Sequence, residues 1–157
     1  MSYVKAAYLD LSQCCDAFVE GTELLEQCLH REAVERFKFA CDSVADDHNL
    51  FSKYYSYYGF SRLLSGNHES INVCRKAVNT YPFDGDICMN LARAEIFLKN
   101  RRAALDIIKE GLRFSQDHIG LQKLKNNLGV RRRKPLPFLP RDNPVSVALG
   151  KKMRKLR

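Results

Sequence analysis

Proline is almost missing from most of this chain: the first 130 of its 157 residues contain Pro82 and no other. Glycine is sparse too, with 8 in the whole chain. Little therefore interrupts helices, because these two residue types are the strongest local breakers. No stretch sustains the strict apolar–polar alternation of a strand. No apolar run approaches the roughly 20 residues that a membrane span requires, so the chain reads as not transmembrane. The N-terminal stretch MSYVKAAYLDLSQCCDAF lacks the basic, apolar and small-residue regions of an export signal, and a cytoplasmic location is expected.

Chemistry-bearing motifs are lacking as well. There is no Gly-rich phosphate loop, nucleophile elbow, H-E-x-x-H or paired-carboxylate signature, so neither enzymatic activity nor a cofactor is expected. The six cysteines, Cys14, Cys15, Cys28, Cys41, Cys74 and Cys88, form no C-x-x-C pair and read as reduced thiols. Cys14 and Cys15 are adjacent, and neighbours on a helix point in different directions, which disfavours joint metal ligation. Cys41, Cys74 and Cys88 read as small core residues. His30, His48, His68 and His118 fall at or near turn signals and read as surface residues.

What is present is ordinary for one globular domain: 45% hydrophobic and 28% charged residues. The net charge of +8 is unevenly placed. Residues 1–130 hold 16 Lys and Arg against 17 Asp and Glu, whereas residues 131–157 hold 10 against the single Asp142. All the basic character belongs to this C-terminal extension, as Arg131, Arg132, Arg133 and Lys134 at its start and Lys151, Lys152, Arg154, Lys155 and Arg157 at its end.

Residues 1–130 read as an all-α domain. Apolar residues recur at spacings of three and four, as in Phe18, Leu24, Leu25 and Cys28, then Val34, Phe37, Cys41 and Val44. Turn signals at 30–31, 46–49, 65–67, 82–84 and 99–100 divide six helices of roughly 12 to 18 residues. Asn49 and Asp84 stand as N-caps. The pattern also repeats. The spacing from Gly21 to Ala33 equals that from Ala92 to Ala104, and the later steps of four and three, to Phe37 and Ala40 and to Ile108 and Gly111, match again. The middle pair carries Tyr58-Gly59, Gly66, Ala77 and Pro82, with one residue fewer across its turn.

On these residues the chain resembles the tetratricopeptide repeat family, built from helix–turn–helix units of about 34 residues. The resemblance implies a right-handed α-solenoid of three repeats, at about 14–47, 52–84 and 85–118. A capping helix follows at about 117–129, then the basic tail, 131–157. It also implies protein–protein interaction, by an adaptor, assembly factor or chaperone-like module holding a partner's apolar segment in a concave groove. The family's helix phase puts Phe18, Thr22 and Leu25, then Lys53, Ser56, Phe60 and Leu63, then Met89, Arg93 and Ile96 in that groove. The positions at which some members clamp a chaperone's terminal carboxylate fall on Phe18, Thr22, Tyr57, Asp86 and Asn90. The cations of such a clamp are missing, so an apolar peptide is the better ligand. Self-association through exposed end faces is a further expectation.

In the aromatic run 54-YYSYYGF-60, helical spacing puts Tyr54 and Tyr58 on one face and Tyr57 with Phe60 on another, so much of it must be packing between units. Nucleobase stacking is disfavoured because no Arg or Lys is interleaved with the rings. In the tail, 131-RRRKPLPFLPRDNP-144 ends the capping helix, and Leu136, Phe138 and Leu139 call for cover. Three fates stay open: packing on the protein itself, docking on a partner protein, or contact of the basic ends with phosphate or an acidic membrane surface. The last belongs to the alternative function, a nucleic-acid- or ribosome-associated factor.

Overall fold

A computed structural model describes residues 14–129. Seven α-helices follow one another: α1 (Asp16–Glu26), α2 (His30–Asp42), α3 (Phe51–Leu64), α4 (Ile71–Thr80), α5 (Gly85–Phe97), α6 (Arg101–Phe114) and α7 (Ile119–Leu128). A single 3-10 turn, His68–Ser70, leads into α4, and no strand occurs among the described residues. Among the described residues no helix is long and apolar enough to cross a membrane. The tail from Arg131 to Arg157, with every basic residue named above, lies outside them.

The helix types alternate. Each even helix buries one stripe three residues long: Ala33, Phe37 and Ala40 in α2, Ile71, Cys74 and Ala77 in α4, Ala104, Ile108 and Gly111 in α6. Such a stripe needs one neighbouring surface. By contrast, α3 buries Tyr54, Ser56, Tyr57, Gly59, Phe60, Ser61 and Leu63, and α5 is buried along nearly its whole length. Contacts follow suit. Every helix packs on the next, α3 also packs on α5 and α5 on α7, while no comparable contact joins α2 to α4 or α4 to α6. From α3 onwards the odd helices therefore sit closer to one another than the even ones, whereas α1 reaches α3 mainly through side chains such as Phe18 on Tyr54.

Each helix pair turns in the same way. Residues 27–29, 65–67 and 98–100 close three-residue turns in which the residue after the C-cap has positive φ: Cys28 at 62°, Gly66 at 104° and Lys99 at 64°. The backbone bonds repeat as well: Leu29 N–H to Leu24 O, Asn67 N–H to Arg62 O, Asn100 N–H to Glu95 O. This is one helix-stop motif used three times, with glycine supplied once. The residue missing from the middle pair is lost not in its turn but in the 3-10 stretch, which uses three residues per revolution instead of 3.6.

Close approach at the pair crossings uses Gly21 and Gly59. A Cβ at Gly21 would stand 2.8 Å from Phe37 Cε1, and one at Gly59 2.7 Å from Val73 Cγ1, both inside contact distance. The expected cap at Asp84 forms: its Oδ1 accepts from the N–H groups of Asp86 (2.7 Å) and Ile87 (3.2 Å). Asn49 does not cap α3. The helix starts one residue later, after Leu50, whose N–H is taken by His48 Nδ1 at 3.2 Å, because a turn from His48 O to Phe51 N–H already sets the entry. Helices of 10 to 14 residues are somewhat shorter than expected.

The core centres on rings from α1, α2 and α3. Phe18 stacks on Tyr54 at 4.6 Å and meets Phe37 and Tyr57 at 5.5 and 5.0 Å. Such pairs contribute about 0.5–1.5 kcal/mol each beyond area burial. A second cluster of Cys88, Met89, Ala92, Ile108, Leu121 and Leu124 joins α5, α6 and α7. Val78 and Ile107 pack against both clusters and make the core continuous.

Candidate functional site

The side chains expected to line a concave groove are mostly spent on packing. Phe18, Thr22, Leu25, Ser56, Phe60, Leu63 and Met89 are all buried, none more than 5% exposed. Phe18 sits at the centre of the ring cluster, Thr22 donates to Val19 O at 2.7 Å, and Ser56 donates to Lys53 O at 2.8 Å. Met89 lies under α7, where its sulfur occupies the space a Cβ on Gly120 would need. Lys53, Arg93 and Ile96 keep partial exposure. The Arg93 guanidinium lies 4.6 Å from the centroid of the Phe60 ring. These residues do come together along α1, α3 and α5, yet they do not form an open apolar groove.

A polar network fills the junction of α3, α5 and α7 instead. Lys53 Nζ lies 2.9 Å from Asp86 Oδ2 and 3.4 Å from Asp84 Oδ2. His118 Nε2 lies 3.0 Å from Asp86 Oδ1, and its Nδ1 accepts the Leu121 N–H at 3.1 Å. Since Nδ1 is an acceptor, the ring proton sits on Nε2 and is donated to Asp86. Burial is the largest single effect on Asp86 and favours its neutral form. The hydrogen bond from His118 and the charge and hydrogen bond of Lys53 together outweigh it and hold the carboxyl below its ordinary range. Lys53 is the mirror case: burial works against its charge, and Asp86 and Asp84 overcome this and raise its pKa.

His118 was expected at the surface, but its side chain is only 16% exposed, and it caps α7 while tying that helix to α5. Its role was partly readable, since it stands just before the apolar run of α7. Nothing in the sequence marks Asp86 as its partner 32 residues away. Gly85 makes the approach possible, because a Cβ there would collide with the His118 ring. The three acidic and imidazole side chains are committed to Lys53 and to backbone N–H groups. Among the described residues no group of three His, Cys, Asp or Glu is placed to hold a metal ion.

The five described clamp-equivalent positions give no anion site: Phe18 and Thr22 are packed, Asp86 is paired, and Asn90 donates to Ser56 Oγ at 3.1 Å. Buried Tyr57 Oη and Asn90 Oδ1 find no hydrogen-bond partner among the described residues. No known protein family matches the chain, and no curated protein does either. Its surfaces must therefore be weighed on their own chemistry.

The tyrosine run divides between core and rim. Tyr54 and Tyr57 are buried, whereas Tyr55 and Tyr58 are half-buried and continue a ladder from Phe51, with ring centroids 5.5 and 6.4 Å apart. Cations accompany this ladder after all. Lys76 Nζ lies 5.8 Å from the Tyr55 centroid and Arg62 Cζ 5.4 Å from that of Tyr58, brought there from α4 and from one turn further along α3. The ladder is largely satisfied by its own stacking.

One corner is not. Phe83, in the loop between α4 and α5, is 57% exposed; Phe114, the last residue of α6, is 48% exposed, and Tyr81 is 46% exposed. The Phe83 ring stands edge-on to both others, with centroids 4.8 Å from Phe114 and 6.2 Å from Tyr81. Ser115 Oγ donates to Phe83 O at 3.1 Å and fixes the loop against the end of α6. Exposed Ile119 begins α7 nearby in sequence. The sequence does not announce this corner because the aromatic residues stand at or just after helix ends, where they look like turn residues or packing.

The cysteines divide as their surroundings dictate. Cys74 and Cys88 are buried and Cys41 is half-buried, and burial pushes their thiols up to about 12, 11 and 12 respectively. All six are free.

Proposed function

We propose that the chain is a protein-interaction module of the tetratricopeptide type, a short right-handed solenoid that captures an apolar segment of a partner protein. The repeated helix stop, the one-sided even helices and the contacts among odd helices support the repeat architecture. The observation that carries the binding reading is the aromatic corner. Three large rings, Phe83 packed against Tyr81 and Phe114 and each about half in water, amount to a clustered apolar patch, which marks interaction surfaces far better than scattered exposed side chains do. The corner replaces the groove as the contact surface in this reading, because most of the side chains assigned to the groove are already buried. Capture of a partner by the full-length chain tests the reading, with Phe83→Asp expected to reduce it at least tenfold while leaving the helical signal unchanged.

The concentration of positive charge in residues 131–157 favours a second reading, a nucleic-acid- or ribosome-associated factor whose tail contacts phosphate. Binding of that kind weakens steeply with salt, whereas aromatic contacts do not.

A further inference from the structure

The aromatic corner and the end of the described chain lie at opposite ends of the α6–α7 pair. Arg101, the first residue of α6, donates to the backbone oxygens of Leu128 and Gly129, the latter at 2.9 Å. The start of α6 therefore sits beside the end of α7, and Phe114, at the end of α6, belongs to the other end. The 10 residues of α7 cover about 15 Å at the usual helical rise. Five residues, the number from 130 to 134, can reach about the same distance, at roughly 3.3 Å per residue of fully extended chain. The next residues are Pro135-Leu136-Pro137-Phe138-Leu139-Pro140.

We propose that Pro135–Pro140 of the same chain docks on the corner formed by Tyr81, Phe83 and Phe114 in the polyproline II conformation. The inference rests on the corner being a binding surface and names the chemistry it selects, an extended segment carrying proline. Proline-rich segments are already stiff in this conformation, lose little entropy on docking, and are received by notches between aromatic rings. Phe83, perpendicular to both neighbours and in edge-to-face contact with them, makes with them a stepped aromatic surface whose rings stay about half exposed, open to a proline ring laid on them from outside. Pro137 and Pro140 stand one polyproline II turn apart, roughly 9 Å, longer than either single step between the rings, 4.8 and 6.2 Å, so the two prolines would reach the outer rings, Tyr81 and Phe114, across Phe83. Asp117, exposed in the loop before α7, offers a carboxylate to Lys134 or Arg141, which flank the prolines. A tether of this length presents the segment at about millimolar effective concentration, so a weak contact is enough to occupy the corner. A partner's proline-bearing segment then has to displace the tail.

The test is a set of nuclear Overhauser measurements on the uniformly labelled full-length chain. Contacts are expected between the ring protons of Pro137 or Pro140 and those of Phe83 or Phe114, unchanged on tenfold dilution. Pro137→Ala with Pro140→Ala should remove them without moving the helical amide signals, and Phe83→Ala should do the same. Absence of any contact between tail and rings overturns the proposal. So does contact that disappears on dilution, which would assign the corner to a second copy. If the tail contacts are absent while Phe83→Asp still abolishes partner capture, the tail assignment alone falls. If the contacts are present and capture is indifferent to Phe83, the partner reading falls and the tail assignment stands.

Discussion

His118 Nε2 donates to Asp86 Oδ1 at 3.0 Å while His118 Nδ1 accepts the Leu121 N–H, so one imidazole both starts α7 and fastens it to α5. Both side chains are mostly covered, at 16% and 12% exposure. His118→Ala removes a helix cap and leaves a carboxylate with one partner fewer, a loss of about 2–3 kcal/mol. Urea denaturation should show this loss, and hydrogen exchange should show the amides of α7 opening before those of α3.

The same carboxylate sets the acid limit of stability. Its folded pKa is depressed, so its stabilising contribution is complete above the unfolded value of about 3.9 and is lost as pH falls through the lower folded value. The alkaline side is governed by thiols with raised pKa. Cys41, Cys74 and Cys88 ionise near 9.0 when unfolded and at about 12, 12 and 11 when folded, so stability falls as pH rises above about 9. Lys53, raised above 10.5, adds its own loss as pH climbs through its folded value. Denaturation midpoints should be flat from about pH 7 to pH 8. They should fall at higher pH, and at lower pH first as His30, whose folded pKa is depressed by burial, is protonated in the unfolded chain, and then as Asp86 is. Asp86→Asn should shrink the acid limb while lowering the plateau.

Backbone geometry yields a stabilising change. Lys99 has φ of 64°, the position that glycine fills at Gly66 in the middle pair. Lys99→Gly should stabilise by about 0.5–1 kcal/mol. Gly59→Ala should destabilise by about 1–3 kcal/mol, because the added methyl enters the space of Val73, and Val73→Ala should restore part of the loss. Thermal melts of the single and double variants check all three.

The helices, most of their turns and the crossing glycines were legible in the sequence because each is decided locally, by spacing and by residue size; the first turn lies at 27–29, not at 30–31 as expected, because Cys28 takes the positive φ that no glycine marks and His30 already begins α2. Asp84 could be read as a cap for the same reason. Whether Phe18, Phe60 and Met89 face a groove or a core depends on how closely α3, α5 and α7 approach, and helical phase alone does not contain that distance. The Lys53–Asp86–His118 network was hidden for a related reason: its members are far apart in sequence and each looks like an ordinary turn or surface residue. The aromatic corner needed the folded chain, since Tyr81, Phe83 and Phe114 meet only when the end of α6 comes against the loop before α5.

Burial and exposure predict opposite outcomes for two phenylalanines. Phe60→Asp, at a position 2% exposed, should cost about 3 kcal/mol or more and prevent cooperative folding. Phe83→Asp, at a position 57% exposed, should stay within about 1 kcal/mol of the parent. Circular dichroism melts of the two variants separate a core residue from a contact residue.

The central claim is that the aromatic corner is the surface through which this chain holds a partner protein. It is tested most directly by placing a photo-reactive phenylalanine analogue at Phe83 and, as a control, at Phe39. Phe39 is more exposed, at 65%, but lies on α2, outside the corner. Full-length chain carrying either probe is irradiated in cell extract at low and high salt. The account predicts one discrete protein adduct from position 83 that persists at high salt, and none from position 39. Equal adducts from both positions, or a position-83 adduct that disappears with salt, would contradict it.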